Sequence, residues 1–286
     1  MVYDSPLRYP GGKAKLSNYI MQVIKQNDLH EGVYIEPYVG GGSVALSLLY
    51  NDVVHKVIIN DKDRSIYAFW YSVLNETDAL CRLIADTEIT MDVWTEQKKI
   101  QNHKEEEDLL SVGYSTFFLN RTNRSGILKA GVIGGHNQEG KYKINARFNK
   151  DDLILRIQKV AMLADRIELH NLDAVELIAT LDLEDRENTL IYLDPPYYVK
   201  GIGLYLNYYK DNDHRQIANI MSTLEGYRWL ITYDNVPFIA SLYQQYRSAV
   251  FELNYSASNS GKGQEIMIYS DNLIIPECEI IKKSNR

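Results

Sequence analysis

The chain has 286 residues, 45% of them hydrophobic and 24% charged, which fits one large core or a domain with a sizeable insertion and excludes a disordered or fibrous protein. Its apolar runs fall far short of the roughly 20 residues of a membrane span, and its opening residues lack the basic-then-apolar order of a secretion signal. Two cysteines, Cys81 and Cys278, give no disulfide framework or metal cluster, and with a net charge of −7 any nucleic-acid partner must be met by local charge. A reducing cytoplasm is the expected setting, with no membrane partner.

In chain order, Ser5-Pro6-Leu7-Arg8-Tyr9-Pro10-Gly11-Gly12-Lys13 is a loop, stiff and then flexible, that runs into a helix over about 14–26. Gly11 and Gly12 let backbone approach a ligand and Lys13 offers charge, but no Ser or Thr follows the lysine as a P-loop needs. Val33 to Glu36 reads as a first strand. Pro37-Tyr38-Val39-Gly40-Gly41-Gly42 then turns into a helix from Ser43, a plausible N-cap, to Tyr50. A second strand, Lys56 to Asn60, ends in Asp61 and Asp63. Asp61 lies 19 residues beyond Gly42, the separation at which a carboxylate meets ribose hydroxyls, and Asp63 suits the cap of a helix over Arg64 to Leu74.

From 76 to 150 the strand–helix alternation stops. Thr90 to Ile100 and Asp108 to Leu119 have helical patterns, and an insertion between two halves of an α/β sheet (1–75 and 151–286) accounts for the break. Within residues 121–150, seven cations against Glu139 alone leave a net +6 in an otherwise acidic chain. Phe117-Phe118-Leu119-Asn120-Arg121-Thr122-Asn123-Arg124-Ser125-Gly126 joins aromatics to polar and basic residues. Such Arg and Asn side chains pair with base edges or grip phosphates, and the sequence does not divide the two jobs. A solvated basic loop is the plain alternative.

Alternation resumes with a helix over Leu153 to Ala164, a strand from Arg166 to His170 and a helix over Ala174 to Leu181. The apolar run Leu190-Ile191-Tyr192-Leu193 is a buried strand that two prolines must end. The next four residues, Asp194-Pro195-Pro196-Tyr197, sit where open α/β sheets bind ligands. A carboxylate, a proline carbonyl held in one direction and an aromatic face suit a planar amino-bearing ring; a strand-ending turn is the alternative. A tyrosine-rich loop to Tyr209 reads as a lid. Asp213 to Leu224 is helical, Trp229 to Thr232 a strand, Val236 to Tyr246 helical. Ala249 to Leu253 and Glu265 to Tyr269 form an antiparallel hairpin at the sheet edge, with a polar, mobile link over Ser256 to Gly263.

Together these stretches resemble the Dam-like group of S-adenosylmethionine-dependent DNA adenine-N6 methyltransferases over nearly the whole chain. Arg8 to Lys13 resembles the N-terminal cofactor motif, Glu36 to Ser43 the glycine loop, Asn60-Asp61 the ribose-binding acid, Phe118 to Thr122 a DNA-facing segment and Asp194 to Tyr197 the catalytic motif. The resemblance implies a Rossmann-like α/β methyltransferase sheet with helices on both faces, plus a mostly helical target-recognition insertion over 76–150. It implies catalysis by Asp194, Pro195 and Tyr197. S-adenosyl-L-methionine would be held by Tyr9, Lys13, Glu36, Tyr38, Gly40, Gly42, Asp61, Asp173 and Asp194. Double-stranded DNA would meet Asn120, Arg121, Asn123, Arg124 and Arg147, with no metal required. A cognate restriction endonuclease is an open partner, and the oligomeric state is not readable. One departure stands out: Asp173 is followed by Ala174 where the family often has a phenylalanine that stacks on the cofactor adenine. Alternatives are an RNA adenine or protein glutamine methyltransferase, usually with Asn in place of Asp194, and a catalytically silent DNA-binding homologue. A nicotinamide dehydrogenase is disfavoured for want of a strong dinucleotide pattern and a hydride-transfer acid or base.

Overall fold

The computed structural model describes residues 5–8, 14–182, 185–199, 209–254, 262–277 and 281–282. The strands are β1 (Val33–Glu36), β2 (Lys56–Asn60), β3 (Ile167–His170), β4 (Thr189–Leu193), β5 (Arg228–Asp234), β6 (Arg247–Asn254), β7 (Lys262–Tyr269) and β8 (Ile281–Lys282). They form one sheet in the order β3-β2-β1-β4-β5-β7-β6-β8. The first five run parallel, and β7 is antiparallel to both β5 and β6. Chain order reverses between β1 and β4, so their carboxyl ends open the crevice where such sheets take ligands.

Parallel strands are buried on both faces, so they need apolar residues without alternation, and β4 is buried at every position. Tyr34, Leu190, Tyr192 and Leu230 point into one core, whereas Ile35, Ile191, Leu193 and Ile231 point into another. The first core lies under α1 (Ala14–Gln26), α2 (Ser43–Tyr50), α3 (Arg64–Asn75), α4 (Thr77–Asp86), α5 (Met91–Asn102), α6 (Leu109–Thr122) and α7 (Lys150–Ala161). The second lies under α8 (Ala174–Thr180), α9 (Asp211–Met221) and α10 (Pro237–Leu242).

The expected α/β sheet with helices on both faces is therefore present, and so is its antiparallel hairpin on one side. The β6–β7 hairpin forms, but β7 enters between β5 and β6 and is not an edge strand. Ile266, Met267 and Ile268 are all buried, on both faces of β7, as an interior strand requires. The edge is β8, which pairs with β6 through Phe251 and Val250. The link expected to be mobile lies largely outside the described residues, as does most of the loop read as a lid.

Residues 76–150 hold three helices, of which α4 follows α3 with only Glu76 between them. That abrupt join, with no Gly or Pro to mark it, hid α4 from periodicity. The last turns of α6 press into the first core. Phe117 stacks on Phe69 of α3 with ring centres 6.0 Å apart, and Phe118 packs on Phe148 at 5.5 Å. Gly113 makes this possible, because a Cβ there would lie 2.4 Å from Ser72 Oγ and 2.5 Å from the Ala68 carbonyl of α3.

Candidate active site

The turn after β1 is built by glycine geometry. Gly40 and Gly42 have φ of 45° and 63°, the left-handed region open to glycine at little cost. A Cβ on Gly42 would also meet the Trp70 ring at 2.8 Å. Gly42, not Ser43, is the N-cap of α2, and it caps with backbone alone. Trp70 Nε1 donates to the Gly40 carbonyl at 3.0 Å, fixing the loop from α3.

Asp61 ties this loop to the end of β2. One carboxylate oxygen accepts the Gly40 amide at 3.0 Å and the other accepts the Asp63 amide at 2.9 Å. Burial pushes its carboxyl up to about 7, against the pull of those two amides and of Lys104. Asp63 caps α3 through the Ser65 amide and pairs with Lys104 at 2.5 Å, as its capping role required. Asn60 is wholly buried; its Nδ2 donates to the Pro37 and Leu172 carbonyls. It thereby joins the ends of β1, β2 and β3.

Glu36 ends β1 and is 5% exposed. Burial first, and the nearby Asp194 charge second, hold its carboxyl well above the usual range. Its Oε2 has no hydrogen-bond partner among the described residues. The Ala45 amide and the Tyr34 hydroxyl pull weakly against that rise, and Oε2 is the oxygen that remains for a further partner. Tyr38 meets Tyr209 across the crevice, hydroxyl to hydroxyl at 3.1 Å. Tyr9 and Lys13 lie outside the described residues.

Asp194 comes directly after β4. Its Oδ1 accepts from Thr232 Oγ1 at 3.0 Å, and Thr232 Oγ1 lies 3.0 Å from the Tyr192 hydroxyl. Threonine has one hydroxyl hydrogen and gives it to Asp194, so Tyr192 must donate to Thr232. Burial, then the Asp194 charge, raises the Tyr192 hydroxyl far above the tyrosine range, so that proton stays in place. The relay fixes the carboxylate from behind the sheet. Pro195 is buried.

Sequence reasoning missed two buried carboxylates here. Tyr197, 7% exposed, donates its hydroxyl to Glu265 Oε1 of β7 at 2.5 Å, and Glu265 is fully buried. Asp234, at the end of β5 and paired in register with Glu265, accepts the Tyr198 and Val199 amides, each at 2.9 Å. Asp234 ends an apolar strand, the same signal that marks Asp194, whereas Glu265 lies inside β7 just before its apolar run Ile266-Met267-Ile268. The strand expected to end at Thr232 runs on to Asp234.

Asp173 caps α8 in a capping box with Glu176 and pairs with Lys62 at 2.9 Å. Its carboxylate serves the helix start, and Ala174 behind it is 1% exposed. Val175 instead lines an open cleft of about 610 Å³ with Lys62, Asp213, Gln216 and Ile220.

The segment expected to face DNA divides. Asn120, Arg121 and Asn123 are buried, at 2%, 8% and 0% exposure, and bond to the chain itself. Asn120 Nδ2 donates to the Arg8 and Gly126 carbonyls. Asn123 Nδ2 donates to the Ile127 and Leu128 carbonyls and its Oδ1 accepts from Trp94 Nε1. Arg121 donates to the Pro6 carbonyl from Nε at 2.9 Å and again from Nη2. All three turn inward onto the chain itself, Asn120 and Arg121 because α6 keeps its helix through Thr122, and Asn123 as the residue that ends it. Arg124 and Arg147 are exposed, as is Lys129. Arg124 opens a turn closed by its amide on the Gly131 carbonyl at 3.0 Å and by the Asn123–Val132 bridge.

A sheet ordered 3-2-1-4-5-7-6, a glycine turn after its first strand and an acid-proline-proline-tyrosine after its fourth define a Rossmann-like methyltransferase. Residues 9–257 match the model of the D12 class N6 adenine-specific DNA methyltransferases, and the chain belongs to that family. A Type II methyltransferase, M.MjaIII of Methanocaldococcus jannaschii, is 25% identical over 260 residues, covering 83% of this chain and 87% of its own. Among solved structures, a precorrin-8w decarboxylase from Methanobacterium thermoautotrophicum aligns at a TM-score of 0.41 with 12% identity, over 94% of this chain and 99% of its own. An rRNA methyltransferase from Streptomyces viridochromogenes gives 0.41 and 12%, over 92% and 87%. The fold assignment rests on this chain's own strand order.

Proposed function

We propose that this adenine-N6 DNA methyltransferase works on an adenine turned out of a DNA duplex into the crevice between β1 and β4. The observation that carries this is the fixed carboxylate of Asp194 at the carboxyl end of β4, next to the open Oε2 of Glu36. An adenine amino group is hidden in a duplex, so the base must be extruded at a cost of about a few kcal/mol. Asp194 and the Pro195 carbonyl accept its N–H hydrogens and aim the nitrogen lone pair into the crevice. Positive charge grows on that nitrogen as it attacks, and the relay-held carboxylate is in place to stabilise it without reorganising. Orientation and this charge supply the rate. Tyr197, anchored by Glu265, presents its ring to the base.

The glycine turn and its neighbours fit S-adenosyl-L-methionine, which when bound supplies an electrophilic methyl group. Glu36 Oε2 accepts from its ammonium, Asp61 from its ribose hydroxyls, and the left-handed Gly40 and Gly42 keep side chains away from it. Tyr9, Lys13 and Tyr38 complete this side in the family pattern, and Val175 supplies the apolar contact that Ala174 cannot. Arg124, Lys129 and Arg147 face the duplex. Residues 76–150 serve target recognition, with Asn120, Arg121 and Asn123 as their scaffold. The Type II designation of the relative supports a cognate restriction endonuclease as partner. Among the described residues no helix is long and apolar enough to cross a membrane.

Methyl transfer from labelled cofactor to duplex DNA, RNA and protein in parallel tests this reading. Label in DNA adenine alone is expected; label in RNA or protein alone would overturn it.

A further inference from the structure

The four residues Ser5–Arg8 lie in no strand or helix, yet the first three are buried. A buried segment outside regular structure must find partners for its backbone polar groups elsewhere. The end of α6 and the middle of α7 supply them. Asn120 Oδ1 accepts the Arg8 amide at 2.7 Å while its Nδ2 donates to the Arg8 carbonyl at 2.6 Å, a two-way clasp on one residue. Arg121 holds the Pro6 carbonyl through two donors, and Arg156 Nη1 donates to the Ser5 carbonyl at 3.5 Å. At the other end, Ser5 Oγ donates to the Gly41 carbonyl at 2.5 Å. The segment is thus a strap with one end on the glycine turn and the other on the base of the Arg124–Gly131 turn. The packing is close: a Cβ on Gly126 would sit 2.4 Å from the Arg8 carbonyl.

Arg121 shows how firmly the strap is held. Burial brings its guanidinium down to about 9, and the charges of Arg156 and Arg8 add to that. Burying a cation is costly unless its donors are used, and here they are used on a backbone carbonyl.

We propose that Asn120 and Arg121 are positioning residues for cofactor binding, coupling the DNA-facing turn to the glycine turn through the Ser5–Arg8 strap. The inference rests on the reading that the glycine turn holds the cofactor and that the Arg124–Gly131 turn meets DNA. Coupling of this kind is reciprocal: DNA must change cofactor affinity by the factor by which cofactor changes DNA affinity.

The test is calorimetric binding of S-adenosylhomocysteine to the full chain, with and without sheared duplex DNA from a methylation-deficient host. The non-reactive product keeps turnover out of the measurement. In the unmodified protein DNA is expected to change the affinity by at least about five-fold. Ser5→Ala cuts the strap at one hydroxyl, and its ratio of affinities should fall toward one in protein that still unfolds cooperatively. Asn120→Asp, which can accept from Arg8 but cannot donate to it, should lower the ratio as well. A wild-type ratio of one, or an unchanged ratio in Ser5→Ala, overturns the proposal. Asp61→Ala separates the two failures. If that variant keeps full affinity, the reading of the cofactor site fails; if it loses affinity while Ser5→Ala keeps the ratio, only the strap fails.

Discussion

The Asp194–Tyr197 turn and the end of α6 look alike in sequence: each comes after an apolar run, and each offers polar side chains in a row. In the structure they do opposite things. Asp194 leaves a strand whose carboxyl end faces the crevice and stays only half-buried, its Oδ1 fixed by the Thr232 hydroxyl and the Tyr197 hydroxyl held by buried Glu265. Asn120 and Arg121 still belong to a helix packed on three sides, so their polar groups turn inward onto backbone. A strand ends and releases its next residue to the site; a helix that runs on keeps it.

The sharpest way to break this comparison is at the strand end. Asp194→Ala should lower methyl transfer at least a hundredfold while cofactor affinity stays within several-fold, since one such stabilising group is worth about 2.7–4 kcal/mol. Near-normal single-turnover rates would remove Asp194 from the chemistry.

Next comes the anchor behind Tyr197. From the sequence alone a phenylalanine there should be harmless, because stacking needs only the ring. The structure changes that expectation. Tyr197→Phe takes a donor from the buried carboxylate of Glu265, which should cost about 1–3 kcal/mol in stability, read by thermal unfolding. Glu265→Gln retains an acceptor and should cost less than Glu265→Ala. A Tyr197→Phe protein as stable as the parent would show that the ring holds its place unaided.

Asp61 carries a pH signature. Its folded pKa is raised from 3.8 to about 7, so the protonated form is the one the ligand-free fold favours. Its contribution to stability is then fully present below pH 3.8 and is lost as pH rises through about 7. Ribose hydroxyls prefer the ionised carboxylate, so cofactor affinity should climb over that upper part of the range. Asp61→Asn should flatten both trends. Cofactor binding that is level across pH 6 to 8 in the parent, a window of about one unit on either side of that pKa, would return Asp61 to a purely structural role.

The smallest effects are expected at the exposed turn. Arg124→Ala should reduce the slope of log affinity against log salt by about 0.9 if it grips one phosphate. Arg121→Ala should leave that slope unchanged and lower stability instead. The reverse pattern would erase the distinction between helix end and turn.

Much of this was legible in the sequence. Strands β1, β2, β4 and β5 announce themselves because parallel strands need unbroken apolar runs, and Gly40, Gly42 and Asp61 stand at the places where such runs give way. Helix α4 was hidden because α3 passes into it without a breaker. Asp234 and Glu265 were overlooked because each is a single acid, one ending β5 and one inside β7, and only the β5–β7 pairing brings them together at the Asp194–Tyr197 turn. The inward turn of Asn120 and Arg121 could not be read, since each holds a backbone carbonyl of the Ser5–Arg8 segment, over a hundred residues away in sequence.

The most direct measurement of the central claim is base-resolved sequencing of DNA from a methylation-deficient host that expresses this chain or its Asp194→Ala variant. N6-methyladenine at one short recurring sequence with the parent chain, and none with the variant, is the predicted result. Unmodified adenine with the parent chain, or equal modification by both, would contradict the account.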